Sequence, residues 1–495
     1  MYHLYQNILV IGLLSSLAVG AQTVDDSYQT EGTEARISLT GAVATGDYTP
    51  FWQQANRYGI APTEANQAYL QAGVFHQQSF SQGFSWGAGL DLVAVTPRYR
   101  NAYIHQLYAE LGYRQIRLSV GSREQRSAFG LDSRLSSGDI IYSTNARPLP
   151  EIRLSMPNYT TVPFTREWLQ LKWDFTVGRS LDNAYLKDWT QGKQIYVEDV
   201  LWHHKALHFR LADAEKRLPI VAEIGVQHIA QWGGTSTNPK VGTQPHSFKD
   251  FLRIVAGQHG GNDATLSDQI NVLGSHHISY DFRLEWEQET WQIQGYYQHL
   301  CYDKSGLEFD NGTDGLWGIQ LDLSQGSWIR RLVVEYFTTL NASGPFHFIH
   351  FDHTEHPGRG GGGDNYYNNE EYVGGLSYFN QSVGSPLLPS PIYNQDGKLG
   401  FRNNRVRAWH LGVEGNLSPQ LSYRVLLSMM QGWGTTFRPF TERRSTVAPL
   451  LEVSYTHPRL EDWQFTASMA GNSGDMLGDS TYGFGLCITK RLQFK

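Results

Sequence analysis

Four histidines spaced three apart in "HFIHFDHTEH", His347, His350, His353 and His356, carry metal-type ligand atoms, with Asp352 and Glu355 beside them. On a strand successive members fall on opposite faces, so only alternate ones could converge on a zinc or calcium ion. A polar strand extension in water accounts for the same residues. Just downstream, "GRGGGGDN" has the glycine density of a phosphate loop. It lacks the Lys-Ser/Thr pair and the strand-then-helix setting that a P-loop requires. The paired carboxylates Glu370 with Glu371 and Asp310 with Asp314 have the composition of a glycosidase pair. Solvated loop acids explain them as well, and the chain has no Ser with a spacing-specific His and Asp. The expectation is a chain without catalytic residues, resident metal or cofactor.

The stretch that follows, "DNYYNNEEY", fits sugar chemistry better. Tyrosine and tryptophan offer a flat apolar face with a polar tip, and Asn, Asp, Glu and Arg exchange hydrogen bonds with hydroxyls. Candidate polysaccharide-binding residues are therefore Asp364, Asn365, Tyr366, Tyr367 and Tyr372, joined by Trp232 and Arg253 from the segment 232–275, which also carries His246, Lys249 and His259. The same long segments could instead fold inwards as a plug, where these side chains would satisfy one another. Asn145 and Arg147 of "NARP" stand between residues that suit such a fixed plug or turn.

The elements that position these residues have a period of two. In "ISYDFRLEW", Ile278, Tyr280, Phe282, Leu284 and Trp286 face one way and Ser279, Asp281, Arg283 and Glu285 the other. Phe84 to Ala94, Leu169 to Val177, Trp409 to Val413, Trp463 to Met469 and Tyr482 to Phe494 repeat the pattern. The strands they mark are roughly ten residues long, the length at which a tilted strand crosses a bilayer. Aromatics gather near their ends, and the last run closes on Phe494. Short joins such as 79–83, 213–219, 288–290, 417–420 and 457–462 alternate with long ones at 179–199, 232–275, 303–315, 341–404 and 434–445. This predicts an all-β, antiparallel transmembrane barrel of about 18 strands over 36–495, with long outer loops near 232–275 and 341–404 and both termini periplasmic. Residues 123 to 165, with four prolines, suit irregular or helical packing.

Residues 1–21 read as a secretory signal peptide, "ILVIGLLSSLAVGA" ending in small residues before Gln22, and 22–35 as a periplasmic segment. Export to a Gram-negative outer membrane follows, with membrane lipid around the barrel and the outer-membrane assembly machinery as a partner during biogenesis. The net charge of −7 over 495 residues gives no basic stripe and so no nucleic-acid partner. Cys301 and Cys487 belong to no metal-type spacing and read as ordinary small side chains.

Several phrases together resemble the capsule assembly Wzi family in its Bacteroidetes-type form. They are "TPFWQQANRYG" (49–59), "SSGDIIYSTNARPLPEIRLSMPNY" (136–159), "LWHHKALHFRL" (201–211), "HIAQWGG" (228–234), "DNYYNNEEYVGGLSYFNQSVGSPL" (364–387) and "NNRVRAWHLGVEGN" (403–416). The resemblance implies an eighteen-stranded outer-membrane barrel with an N-terminal helical portion on the periplasmic side. It also implies a lectin-like protein that attaches or assembles capsular or other surface polysaccharide without catalysing a reaction. The competing readings are a porin or substrate-specific channel, which needs an open lumen, and a barrel-embedded lipase or deacylase.

Overall fold

The computed structural model describes residues 31–97, 101–213, 218–324, 328–344, 362–394 and 396–494. The signal-peptide stretch, the N-terminal helical portion and the histidine run 347–356 lie outside the described residues. The first six strands are β1 (Gly32–Ala44), β2 (Gln67–Ser79), β3 (Phe84–Thr96), β4 (Ala102–Tyr113), β5 (Ile116–Ser122) and β6 (Pro150–Thr161). Next come β7 (Leu169–Arg179), β8 (Leu201–Leu211), β9 (Ile220–Trp232), β10 (Ser275–Glu287), β11 (Trp291–Cys301) and β12 (Gly315–Leu323). The set ends with β13 (Arg331–Thr338), β14 (Val406–Ser418), β15 (Leu421–Gly434), β16 (Pro439–Thr456), β17 (Trp463–Gly474) and β18 (Thr481–Phe494). All eighteen join one antiparallel sheet, and β1 pairs with both β2 and β18, so the sheet closes. No described helix is long and apolar enough to cross a membrane.

Alternation builds the wall. In β10, Phe282, Leu284 and Trp286 point outwards and are exposed, whereas Ser279 and Asp281 point inwards and are buried. At the seam, Leu39 stands between Leu70 and Ile488, so the apolar outer belt runs unbroken across the closure. The pairing of Thr33 with Phe494 explains why the first strand starts at Gly32, ahead of the expected onset at Arg36: closure needs a partner for the last residues of β18. The expected long loop at 434–445 is a tall hairpin instead. The register of β15 with β16 continues to Gly434 and Pro439 across a bulge, which leaves a four-residue turn. Polar alternation in "FTERRS" reads as loop in sequence, but its backbone bonds continue the ladder beyond the apolar belt.

The lumen has two halves. Segments 45–66, 123–149 and 362–405 fold inwards and fill the half next to the long connections. Their Phe51, Trp52, Phe129, Leu135, Ile140, Ile141, Tyr366 and Leu387 form one buried cluster with wall residues such as Tyr296 and Phe337. Residues 123–149 are irregular and contain no helix. Irregular backbone inside a barrel needs hydrogen-bond partners, and lumen-facing side chains supply them. Gln298 Oε1 accepts from Ile140 N, His410 Nε2 lies 2.7 Å from the Leu135 carbonyl oxygen, and an Arg283 Nη2 donates to the Phe129 carbonyl oxygen. Gly412 on β14 makes room for the plug: a Cβ there would lie 2.4 Å from the Leu135 carbonyl oxygen. The other half of the lumen is a cavity of about 1130 Å³. It reaches the short-turn end, where Ser79, Arg117, Asn158, Arg330, Gln464 and Arg491 line it. Short turns and both strand-end termini mark this end as periplasmic.

Candidate functional site

The region of the expected sugar-binding residues is held by one carboxylate. Asp314, at the outer start of β12, accepts from Asn341 N (3.2 Å), Ala342 N (2.8 Å) and the Tyr366 hydroxyl (3.0 Å). Asn311 Nδ2 donates to the same hydroxyl at 3.0 Å. Asn404 Nδ2 bridges Asn365 Oδ1 (2.7 Å) and the Tyr366 carbonyl oxygen (2.8 Å), which clamps the segment to the approach of β14. Side chains with more than one acceptor or donor position therefore fix a loop that has almost no regular structure of its own.

This places the expected residues under the surface. Tyr366 and Tyr367 have no exposed area and Tyr372 has 3%. The Tyr367 hydroxyl donates to the Ile140 carbonyl oxygen and accepts from Ser385 N, and the Tyr372 hydroxyl donates to the Gly233 carbonyl oxygen. Asp364 is buried against the Ser343 hydroxyl (2.8 Å), and Asn365 is half-buried. None of the three rings offers a face on which a sugar could stack in this conformation. Their bulk is needed elsewhere: a lumen walled by polar side chains has an apolar centre only if the plug brings one. Trp232 is also buried, on the outside of the barrel. There the helix α1 (Phe248–Ala256) covers it, with the Phe251 ring 5.7 Å away. A capping box of Ser247 with Asp250 starts that helix, and Gly257 ends it in the left-handed conformation (φ 60°). Arg253 donates to Asp250 Oδ1 at 2.8 Å within it. Thus Asp364, Asn365, Tyr366, Tyr367 and Tyr372 come together, whereas Trp232 and Arg253 form a separate group on the outer wall. The two long loops touch where Tyr372 reaches Gly233 and where Thr265 Oγ1 donates to Glu371 Oε1 (2.8 Å).

What is exposed at the outer rim lies beside the expected set. Glu370 is open to solvent, and Arg402 pairs with Asp396 at 2.6 Å near Lys398. Gln194 binds the Gly397 carbonyl oxygen and Leu399 N, which brings Lys193 next to that turn. The polar run "NQDGKLGFRNN" (394–404) was the available signal for this surface. Asn145 and Arg147 are structural, as expected: Asn145 Nδ2 donates to the Ser382 carbonyl oxygen, and Arg147 stacks on Tyr103 and Phe379. Cys301 and Cys487 are free thiols. Among the described residues one group, Asp91, His105 and Glu124, gathers metal-type ligand atoms within 4.8 Å. Asp91 already accepts from Gln71 and Gln106 and faces Arg36 at 3.4 Å, and His105 Nε2 lies 2.9 Å from Glu124, so protein groups meet these charges.

Burial pushes Asp364 and Asp268, both in outer loops, up to about 7, with a neighbouring carboxylate adding to each. A carboxyl raised in the folded state stabilises that state most at low pH. Its contribution is lost as pH rises from the unfolded value near 4 to about 7. Hydrogen exchange in 262–274 and 362–376, corrected for intrinsic rates, should therefore quicken between pH 5 and pH 8 (about one decade of opening per pH unit at most). Asp364→Asn should flatten the response of the second segment; an unchanged response would contradict the assignment.

The structure is similar to that of Wzi from Escherichia coli, described as an outer membrane protein involved in group 1 capsule assembly and a carbohydrate-binding β-barrel. The TM-score is 0.56 at 13% identity, over 93% of this chain and 84% of that one. OccK5 of Pseudomonas aeruginosa follows at TM-score 0.46 and 9% identity, over 94% of this chain and 99% of that one. OccAB4 of Acinetobacter baumannii gives 0.45 and 10%, over 95% and 100%. No curated protein matches the chain in sequence. The closed eighteen-stranded sheet with its apolar belt is an outer-membrane barrel, and the family profile of the capsule assembly protein Wzi matches residues 23–387. The chain belongs to the Wzi family of capsule assembly proteins.

Proposed function

We propose that this protein attaches or assembles capsular polysaccharide at the cell surface as a lectin-like, non-catalytic outer-membrane barrel. The observation that carries this reading is the filled outer half of the lumen. Wall residues pin the plug, so the outward-facing part is a built polar surface and not the mouth of a channel. Family membership supports capsular polysaccharide as the partner, and the carbohydrate-binding description of the E. coli protein supports direct contact. The exposed Glu370, Lys398 and Lys193 and the half-buried Arg402 are the side chains proposed to meet glycan hydroxyls and charges, in place of the buried tyrosines. Asp364, Asn365, Tyr366, Tyr367 and Tyr372 hold that surface in shape, and Trp232 and Arg253 hold the neighbouring loop. Outer-membrane lipid surrounds the apolar belt, and the outer-membrane assembly machinery inserts the barrel. Deletion of the coding region in the native host tests the reading, through the division of polysaccharide between cells and medium.

A further inference from the structure

The periplasm-facing half of the lumen has a composition unlike the rest of the chain. The protein carries a net charge of −7, yet twelve arginine and lysine side chains line this cavity against six carboxylates. These and further lumen-facing acids pair with the cations, and in three of the pairs the cation is clearly the more exposed partner. Arg134 is 25% exposed and its partner Glu414, at 2.9 Å, 5%; Arg331 is 32% exposed and Asp132 6%. Arg57 is 30% exposed and Glu452, which it shares with Arg424, 11%. The carboxylates hold the guanidinium groups in place while the guanidinium edges face the cavity. A preset fork of this kind binds carboxylates and phosphates.

Size and the remaining lining narrow the ligand. At about 1130 Å³ the cavity exceeds the roughly 300–1,000 Å³ of small-molecule pockets. Between the arginines stand hydroxyls and amides, among them Ser119, Ser155, Asn158, Gln464, Thr466 and Thr489. Many neutral hydrogen-bonding groups interleaved with cations suit a chain of hydroxylated units bearing carboxylates, whereas a lone phosphate would leave most of them unused. The plug supplies Arg57, Arg126 and Arg134 to this inner face, so the segment that closes the outer side also builds the floor of the cavity.

We propose that this vestibule is a binding site for a carboxylate-bearing oligosaccharide segment that enters from the periplasmic side. The proposal rests on the polysaccharide-binding reading above and adds a second site of defined charge preference on the opposite face of the plug. Cys487 lines the vestibule and is a free thiol, whereas Cys301 is buried, so the unmodified protein carries its own reporter.

The test uses the purified full chain in detergent, with hexameric oligogalacturonate, maltohexaose and inorganic phosphate as probes. Calorimetry should show binding of oligogalacturonate that weakens as salt is raised, and far weaker binding of the other two. The same hexamer should slow maleimide labelling of Cys487. In Arg57→Gln and Arg330→Gln each carboxylate keeps another arginine, Glu452 with Arg424 and Glu414 with Arg134. Each variant should lose affinity roughly tenfold, the scale of one charge-assisted bond, with an unchanged circular dichroism spectrum. Oligogalacturonate binding that leaves Cys487 labelling and both variants unaffected would overturn the vestibule while sparing the retention function. Equal protection by phosphate would overturn the oligosaccharide assignment. Failure of acidic and neutral glycans alike to bind would overturn the vestibule and remove direct glycan contact from the proposed function.

Discussion

Glu335→Ala is expected to unlock the plug while leaving the barrel intact. Glu335 lies on β13, is 1% exposed and faces the lumen from the middle of the apolar run "LVVEYF". Its carboxylate accepts from the Ser136 hydroxyl (2.6 Å), Ser137 N (2.7 Å) and the Tyr296 hydroxyl (2.5 Å), so it fastens segment 123–149 to the wall. Removal leaves three buried donors without this acceptor. Each abandoned buried polar group costs about 1–3 kcal/mol, in overlapping amounts. The ladder that closes β1 on β18 does not involve this residue. The variant should keep the far-ultraviolet spectrum of a barrel yet expose 123–149 to protease. In planar bilayers the parent chain should be silent and the variant should show irregular openings. An equally silent and protease-resistant variant would show that the plug is held by other means.

Tyr367→Ala should have the next largest effect, through stability rather than lost sugar stacking. The ring is fully buried, in T-shaped contact with Phe401 at 5.2 Å and His277 at 5.6 Å. Its hydroxyl links the 123–149 and 362–405 segments through Ile140 and Ser385. Truncation of a buried aromatic costs about 3–5 kcal/mol. Tyr367→Phe keeps the ring, loses both bonds and should cost about 1–3 kcal/mol. Near-ultraviolet circular dichroism should follow this order, with alanine melting well below phenylalanine and phenylalanine below the parent. A residue that stacked on sugar would behave otherwise: alanine would lose glycan binding with an unmoved melting curve.

The wall of the barrel was readable because the bilayer imposes one rule on every strand. Ile278 to Trp286 shows it, with each outward residue apolar and each inward residue polar. Loop lengths then oriented the barrel, with joins such as 457–462 short and 233–274 long. The plug was harder to read because period two has no meaning inside it. "DNYYNNEEY" has the composition of an exposed sugar-binding loop, and only the closed lumen turns its tyrosines into core. The signal for the plug was present in the strands instead, in lumen-facing Asp281, Gln298, Glu335 and His410. Water in an open pore would also accept those residues. Which loop atoms they meet is a long-range pairing, such as Leu135 with His410, that local pattern does not encode. The vestibule arginines are not legible in sequence for the same reason, since Arg57, Arg330 and Arg424 come from a loop, a turn and a strand far apart in sequence.

Retention of polysaccharide is tested most directly in the native host. The chromosomal deletion should shift capsular polysaccharide from the cell pellet to the medium without lowering the total made. The parent chain, supplied on a plasmid, should restore the cell-bound share. An unchanged division between cells and medium in the deletion strain would contradict the proposed function.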